Sequence, residues 1–180
     1  FDKRAQQLRN DLTTQGQRVV EQTLRAVECY FDRDRAKAAS VIQADDVIDR
    51  VDVEIERASI PLLALGETDE RKIRSVLMIV KINNELERAA NCAKHIADVV
   101  ETYAPEMVEA VPSQFRVMAN SVIGMLRDAI RAFDDTNVDL ARQVLAFDDT
   151  VASFKREIGL DAERQLADGN FSVSFAFRLR

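Results

Sequence analysis

The chain has 180 residues, of which 47% are hydrophobic and 31% are charged, with only 5 Gly, 3 Pro and no Trp. This balance favours an all-α protein, because strands and turns use more Gly, Pro and aromatic residues. The formal net charge of −6 argues against nucleic acid as a partner, since a phosphate-backbone binder normally has a basic face. The longest apolar run, residues 76–80, is too short to span a membrane. We expect a cytoplasmic protein that is peripheral to a membrane at most.

Helix breaks are predicted at residues 32–34, 65–70, 104–113, 134–137 and 167–170. Between them run four long helical segments and one shorter one, each with apolar residues three and four apart. The third segment has a strict 3-4 alternation typical of bundle packing, formed by Ile79, Ile82, Leu86, Ala89, Ala93, Ile96 and Val100. The segment before it has a comparable stripe: Val41, Ile48, Val51, Ile55 and Leu62. Ser113, and either Thr68 or Asp69, are predicted N-caps.

The chain also repeats itself after about 103 residues, a shift that aligns Val19 with Val122 and Asp45 with Asp148. Each unit begins with a helix, a short break and a second helix. The first unit continues through a third helix at about 70–102, whereas the second has room only for the start of one, "FSVSFAFRLR". We therefore predict two three-helix bundles in tandem, at residues 1–104 and 113–180, with the second bundle truncated.

Four polar residues are predicted to lie level with one another on the hairpin of the second and third helices. With the turn centred near Glu67, Asp49 and Glu87 are almost equally far from it along the chain, and so are Asp45 and Asn91. Residues four apart share a helix face, and these positions are offset from the apolar stripes. We expect all four side chains to rim the core rather than fill it.

Three carboxylates and an amide oxygen at one level would suit a hard cation better than a soft metal. Crowded carboxylates repel one another, and a cation would relieve that repulsion. Acidic residues four apart are also common on solvated helix flanks. The spacing alone leaves both interpretations open.

Other reactive residues indicate no catalytic site. Cys29 and Cys92 are expected to be buried, reduced thiols, and His95 is expected to be a surface residue because no Glu-x-x-His spacing leads to it. The single histidine and the scattered glycines form neither a nucleophile–base set nor a phosphate-binding loop. We expect a protein that is not an enzyme.

Two segments resemble the PhoU family of phosphate-uptake regulators. "QADDVIDRVDVEIE" at 43–56 is similar to the acidic second-helix signature of the family. "IRSVLMIVKINNELERAANCAKHI" at 73–96 is similar to the third-helix signature, in which an apolar run leads into Leu-Glu-Arg-Ile-Gly-Asp. The 103-residue repeat resembles the tandem three-helix bundles of the family.

The resemblance implies metal-binding acid pairs on the bundle surface. The first pair is Asp45 with Asp49, and the second is Glu87 with Asn91, where Asn replaces the usual Asp. In the second unit Asp148 matches Asp45, but the position of its partner is Ala152. Asn lacks the charge of Asp and cannot bridge two metals, so a single ion is favoured over a cluster. Mg²⁺, Mn²⁺, Ca²⁺, Zn²⁺ and iron stay open as its identity.

The function that the resemblance implies is non-enzymatic regulation of phosphate uptake and phosphate-responsive signalling. Its implied partners are the phosphate ABC transporter and its sensor histidine kinase, and its implied assembly is a homodimer or larger. Two alternatives stay open: metal storage or sensing by the Asp45, Asp49 and Glu87 cluster, and a cytoplasmic tail of a sodium–phosphate cotransporter. The start at Phe1 and the end at Arg180 keep the second alternative open.

Overall fold

The structure is a computed structural model that describes residues 1–107 and 109–178. Every regular element in these two ranges is helical. The helices are α1 (Asp2–Asp32), α2 (Arg35–Ala64), α3 (Glu70–Tyr103), α4 (Ser113–Asp134), α5 (Val138–Ala167) and α6 (Val173–Arg178), with a 3₁₀ turn at Ala104–Glu106. The predicted all-α class is confirmed, and each predicted break falls at a helix end.

The turns that join α1 to α2 and α4 to α5 have the same construction. Arg33 and Thr136 both adopt a left-handed backbone, with φ of 55° and 52°. The next residue, Asp34 or Asn137, caps the following helix, and its side chain accepts a hydrogen bond from a backbone N–H three residues on. Such caps satisfy donors that a helix start leaves free. The first bundle (α1–α3) and the second unit (α4–α6) therefore begin in the same way.

The predicted caps of α3 and α4 have different outcomes. Asp69 is the N-cap of α3 and accepts a hydrogen bond from the backbone N–H of Arg71. The prediction for Ser113 is wrong, because Pro112 is the N-cap and Ser113 is the first helical residue of α4. The fixed φ of proline suits a position beside a helix start.

The first bundle holds most of the core, and its helix α3 buries a stripe that coincides only in part with the predicted one: Ile79, Leu86, Ala93 and Val100 belong to both. Its buried residues alternate strictly three and four apart: Val76, Ile79, Asn83, Leu86, Ala90, Ala93, Ala97 and Val100. The predicted stripe residues Ile82, Ala89 and Ile96 are only half-buried. Small alanines at the buried centre leave room for neighbouring helices, while the larger side chains cover the flanks.

The second unit is much less enclosed. Among the described side chains of α4–α6, only four are buried: Ile123, Ala132, Ile158 and Phe175. The helix α6 has six residues, so it does not cover α4 and α5 as α3 covers α1 and α2. The fold is thus the expected tandem of bundles with a short third helix in the second. Leu179 and Arg180, at the end of the predicted second bundle, lie outside the described residues.

Candidate functional site

The candidate site lies along the seam between the antiparallel helices α2 and α3. The turn that joins them spans residues 65–69 and is centred on Glu67, as predicted. Along the seam, Lys94 Nζ lies 2.7 Å from Asp45 Oδ2. Further toward the turn, Asn83 Nδ2 donates to the backbone oxygen of Asp52 at 3.0 Å and also to its carboxylate. The predicted helix register therefore brings polar residues of α2 and α3 together.

Asp45 does not rim the core, and this part of the prediction is wrong. Its exposed fraction is 0%, because it lies four residues after Val41 and three before Ile48, on the buried stripe itself. Both carboxylate oxygens have partners inside the bundle. Oδ2 receives the Lys94 ammonium, and Oδ1 accepts a hydrogen bond of 3.1 Å from Gln22 Nε2. A buried carboxylate needs this compensation, since an isolated one would be costly to bury.

We call Gln22, Asp45 and Lys94 the polar layer: Gln22 and Asp45 interrupt the apolar core at one level, and Lys94 closes the layer from the edge of the core. One apolar cluster comprises Leu8, Leu12, Val19, Ile48, Ile55, Leu62, Val76, Ile79, Leu86 and Ala90. The other comprises Ala26, Cys29, Ala38, Val41, Ala93, Ala97 and Val100. Gln22 and Asp45 lie at the boundary between the two clusters on α1 and α2, and Lys94 reaches this level from just beyond the boundary on α3. The layer therefore ties α1, α2 and α3 together at a defined height.

Lys94 is held in its charged form by this arrangement. The hydrogen bond from its ammonium to Asp45, and then the Coulomb attraction of that carboxylate, raise the pKa of Lys94. Asp49 and Asp98 add a smaller attraction, while partial burial opposes it. The Lys94 side chain keeps an exposed fraction of 33%, so its stem packs in the seam while its charge stays near water.

Glu87 and Asn91 pair with each other. Both are half-buried, and Asn91 Nδ2 donates a hydrogen bond to Glu87 Oε1. The amide thus faces the carboxylate through its NH₂ group rather than through the oxygen that would bind a cation. Asp49 is exposed. Asp49, Glu87 and Asn91 therefore lie at the rim of the core, as predicted.

Asp52 is a further acidic residue of the seam, and the sequence patterns missed it. Burial raises its pKa, and the negative charges of Glu87, Glu56 and Asp49 raise it further, while the hydrogen bond from Asn83 lowers it. Asp52 follows the buried Ile48 by four residues, as Asn83 follows the buried Ile79. This spacing of four residues from a buried apolar residue is the sequence signal that could have placed Asp52 and Asn83 in the seam.

Asp148 occupies a different environment from Asp45, its counterpart in the repeat. It is exposed on α5, as is Ala152. The residue that corresponds to Gln22 is Met125, which cannot donate a hydrogen bond to a carboxylate. Asp148 lies in the second unit, whereas the other four predicted ligands lie on α2 and α3 of the first bundle.

The residues of the seam do not fit the metal centre that the family resemblance implies. Both oxygens of Asp45 are engaged by Lys94 and Gln22, and Asn91 uses its amide as a donor. In the part of the chain that the structure describes, no three or more His, Cys, Asp or Glu side chains are grouped so that they could hold a metal ion. The ligand set remains a prediction.

The predictions for the two cysteines and the histidine are confirmed in part. Cys29 is buried as predicted, but Cys92 is exposed, so the prediction of two buried thiols is wrong. Cys92 falls between the buried positions 90 and 93 of α3, on the outward side of the helix. His95 is exposed, as expected. Within residues 1–107 and 109–178, no helix combines the length and hydrophobicity needed to cross a bilayer.

The architecture defines an all-α protein of two tandem bundles, in which a polar layer crosses the core of the first. The family model of the PhoU domain matches this chain twice, over residues 12–100 and 115–176. These two matches cover most of the sequence. The chain belongs to the PhoU family.

Individual relatives agree with this assignment. The chain is 25% identical over 177 residues to the phosphate-specific transport system accessory protein PhoU homolog 1 of Thermotoga maritima, covering 98% of this chain and 76% of that protein. It is 24% identical to the phosphate-specific transport system accessory protein PhoU of Escherichia coli, covering 84% of this chain and 63% of that protein.

A solved structure shows the same fold. The crystal structure of the phosphate transport system regulatory protein PhoU from Streptococcus pneumoniae superposes with a TM-score of 0.90 at 22% identity. The match covers 99% of this chain and 84% of that one.

Proposed function

We propose that this protein is an accessory regulator of phosphate uptake that acts as an adaptor and has no catalytic activity. The observation that carries this proposal is the PhoU domain match over both units of the chain. The names of its relatives, which are accessory proteins of phosphate-specific transport systems, support it. By this proposal the protein works in the cytoplasm as a homodimer or larger assembly. Its partners are the phosphate ABC transporter and the sensor histidine kinase of the same response.

The helix surfaces support an adaptor that works by docking. Helix α5 exposes large apolar side chains, with exposed fractions of 75% for Leu145 and 57% for Leu160. Exposed apolar side chains are candidate contacts for partner proteins, because their burial on binding is favourable. A helix pair with such a surface can offer a groove to an amphipathic segment of a partner.

Complementation tests the proposal directly. In a bacterial host that lacks its own PhoU protein, a phosphate-responsive reporter is measured at high phosphate with and without this chain. We expect the chain to restore repression and to co-purify with the transporter ATPase or the sensor kinase. Full expression of a folded chain without either effect would contradict the adaptor function.

Metal storage or sensing gains no support from the seam, since the predicted ligand Asp45 is already paired. Elemental analysis of protein purified without a chelator, compared with Asp45→Ala, separates the two functions. A stoichiometric metal that is lost in the variant would favour metal binding as the main role.

A further inference from the structure

The negative charge of the buried Asp45 is compensated by side chains of the same protein, Lys94 and Gln22. The carboxylate is almost completely buried, and the ammonium of Lys94 lies 2.7 Å from it. Gln22 occupies the second oxygen at 3.1 Å. Because Asp45 is buried between these partners, a divalent ion could reach its oxygens only if the packing around them rearranged.

Lys94 reaches this position from the exposed side of the seam. Its neighbours Ala90, Ala93 and Ala97 are buried on α3, and their small side chains leave space beside the helix. A flexible four-carbon stem can lie across such a surface and place a compact, hydrated charge at its end. The lysine therefore delivers a positive charge to the edge of the core without being buried itself.

We propose that the ammonium of Lys94 takes the place of a metal ion in the first bundle, so that the buried charge of Asp45 is compensated by the chain itself and the α2–α3 seam holds its structure without a divalent cation. Within the pair, the single positive charge of Lys94 balances the single negative charge of Asp45. Of the more exposed acids, Asp49 faces water, and Glu87 accepts a hydrogen bond from Asn91. This inference stands independently of the proposed regulatory function.

The two members of the ion pair are expected to respond differently to substitution. Lys94→Met leaves a fully buried carboxylate without a cation, whereas Asp45→Asn leaves an ammonium that can turn into water. We expect Lys94→Met to lower Tm by roughly 10 °C, because a buried carboxylate that has lost its cation is strongly destabilising. Asp45→Asn should lower Tm by much less. The double variant should resemble Asp45→Asn, since it contains no unpaired buried charge.

Thermal unfolding of the full chain tests this directly, in EDTA and in MgCl₂ or MnCl₂. Wild-type Tm should change by less than about 1 °C between these conditions, because an ion that does not bind the folded state does not stabilise it. Lys81→Met is the matched control, as Lys81 is exposed on the same helix, and it should leave Tm nearly unchanged. If Lys94→Met fails to fold, recovery of folding in the double variant supports the proposal.

Three results would overturn it. The first is a Lys94→Met variant as stable as the wild type. The second is a wild-type Tm that falls in EDTA by as much as the Lys94→Met substitution lowers it. The third is wild-type protein that binds one Mn²⁺ per chain in a calorimetric titration and loses that binding in Asp45→Asn.

Discussion

Gly16 of α1 lies directly against Ile130 of α4. A Cβ atom placed on Gly16 would be 2.8 Å from both Cδ1 and Cγ1 of Ile130, closer than carbon atoms pack in a protein interior. Ile130 also packs against the core of the first bundle, together with Leu126 and Phe133. The absence of a side chain at position 16 therefore allows the second unit to approach the first.

We predict that Gly16→Ala destabilises the protein even though alanine is the better helix former. The helix preference favours Ala over Gly by about 1 kcal/mol, but overpacking at a close contact costs about 1–3 kcal/mol. The net effect should be a loss of up to about 2 kcal/mol in the free energy of unfolding. Urea denaturation followed by circular dichroism measures it.

The matched controls are the two other helical glycines, Gly124 and Gly159. Apart from its two chain neighbours and the backbone of its own helix, no described atom lies within 4 Å of a Cβ atom built on either glycine, so Ala at these sites should stabilise by about 1 kcal/mol. In an Ile130→Ala background the obstacle is absent, and Gly16→Ala should then be stabilising as well. If Gly16→Ala is stabilising in the wild-type background too, the close approach of α1 and α4 is contradicted.

Arg9 makes a second connection between α1 and the end of α4. Its guanidinium donates hydrogen bonds to the backbone oxygens of Phe133 and Asp134 and, at 2.8 Å, to the hydroxyl of Thr136. It also lies 4.5 Å from the ring centre of Phe133. A cation at the carbonyl end of a helix is favourable, because those carbonyls lack partners within the helix.

We predict that Arg9→Met lowers the free energy of unfolding by about 1–2 kcal/mol, since several charge-assisted hydrogen bonds and a ring contact are lost at a partly exposed site. Hydrogen exchange should quicken chiefly in α4 and α5, which have few buried residues of their own. Arg4→Met, at an exposed position of the same helix, is the control and should change neither quantity appreciably. Uniformly faster exchange in α1–α5 would argue against a local contact.

The regular part of the fold could be predicted from the sequence because helix periodicity repeats many times. Thirty or more residues of three-and-four spacing define α2 and α3, and local turn residues such as Asp34 and Asn137 mark where helices begin. The burial of Asn83, Ala90 and Ala97 in place of Ile82, Ala89 and Ile96 on α3 could not be predicted in the same way. Alternative stripes on one helix differ only slightly in apolar content, and tertiary packing selects between them.

The burial of Asp45 and its pairing with Gln22 and Lys94 were harder to predict from the sequence. Sequence patterns place charged residues outside, which is correct for most of them. Asp45 is the exception, because its partners Gln22 and Lys94 come from two other helices. Only the packed bundle reveals that pairing. The spacing of Asp45 from Val41 and Ile48 was the local sign of its burial.

We predict that Leu145→Asn leaves the fold intact and weakens the binding of a partner. The side chain is 75% exposed, so its replacement should change the free energy of unfolding by less than about 0.5 kcal/mol. A contact at the centre of a docking surface would cost about 1 kcal/mol or more of binding free energy. Calorimetric titration with the purified partner from the complementation test measures the change.

Arg142→Asn is a control for Leu145→Asn on the same helix, because this exposed residue forms an ion pair with Asp139, its neighbour across one turn. Its effect on partner binding should be small. If wild type and Leu145→Asn bind the partner equally well, Leu145 is not part of the docking surface. The proposed PhoU-type function is tested separately, by the complementation experiment.

The two cysteines are predicted to differ sharply in reactivity. Cys29 is fully buried, and its Sγ lies 3.1 Å from the backbone oxygen of Ala26. Burial raises the pKa of the Cys29 thiol to about 11, so at pH 8 very little of the reactive thiolate exists.

The exposed Cys92 should react with a disulfide reagent such as DTNB within minutes in the native state, whereas Cys29 should react only as fast as the protein opens. One thiol per chain should therefore titrate quickly, and the second should follow in denaturant. Cys92→Ser should abolish the fast phase, and Cys29→Ser should leave it unchanged. A fast reaction of both thiols in the native state would contradict the packing of Cys29 in the core of the first bundle, because that core must open before a reagent can reach its sulfur.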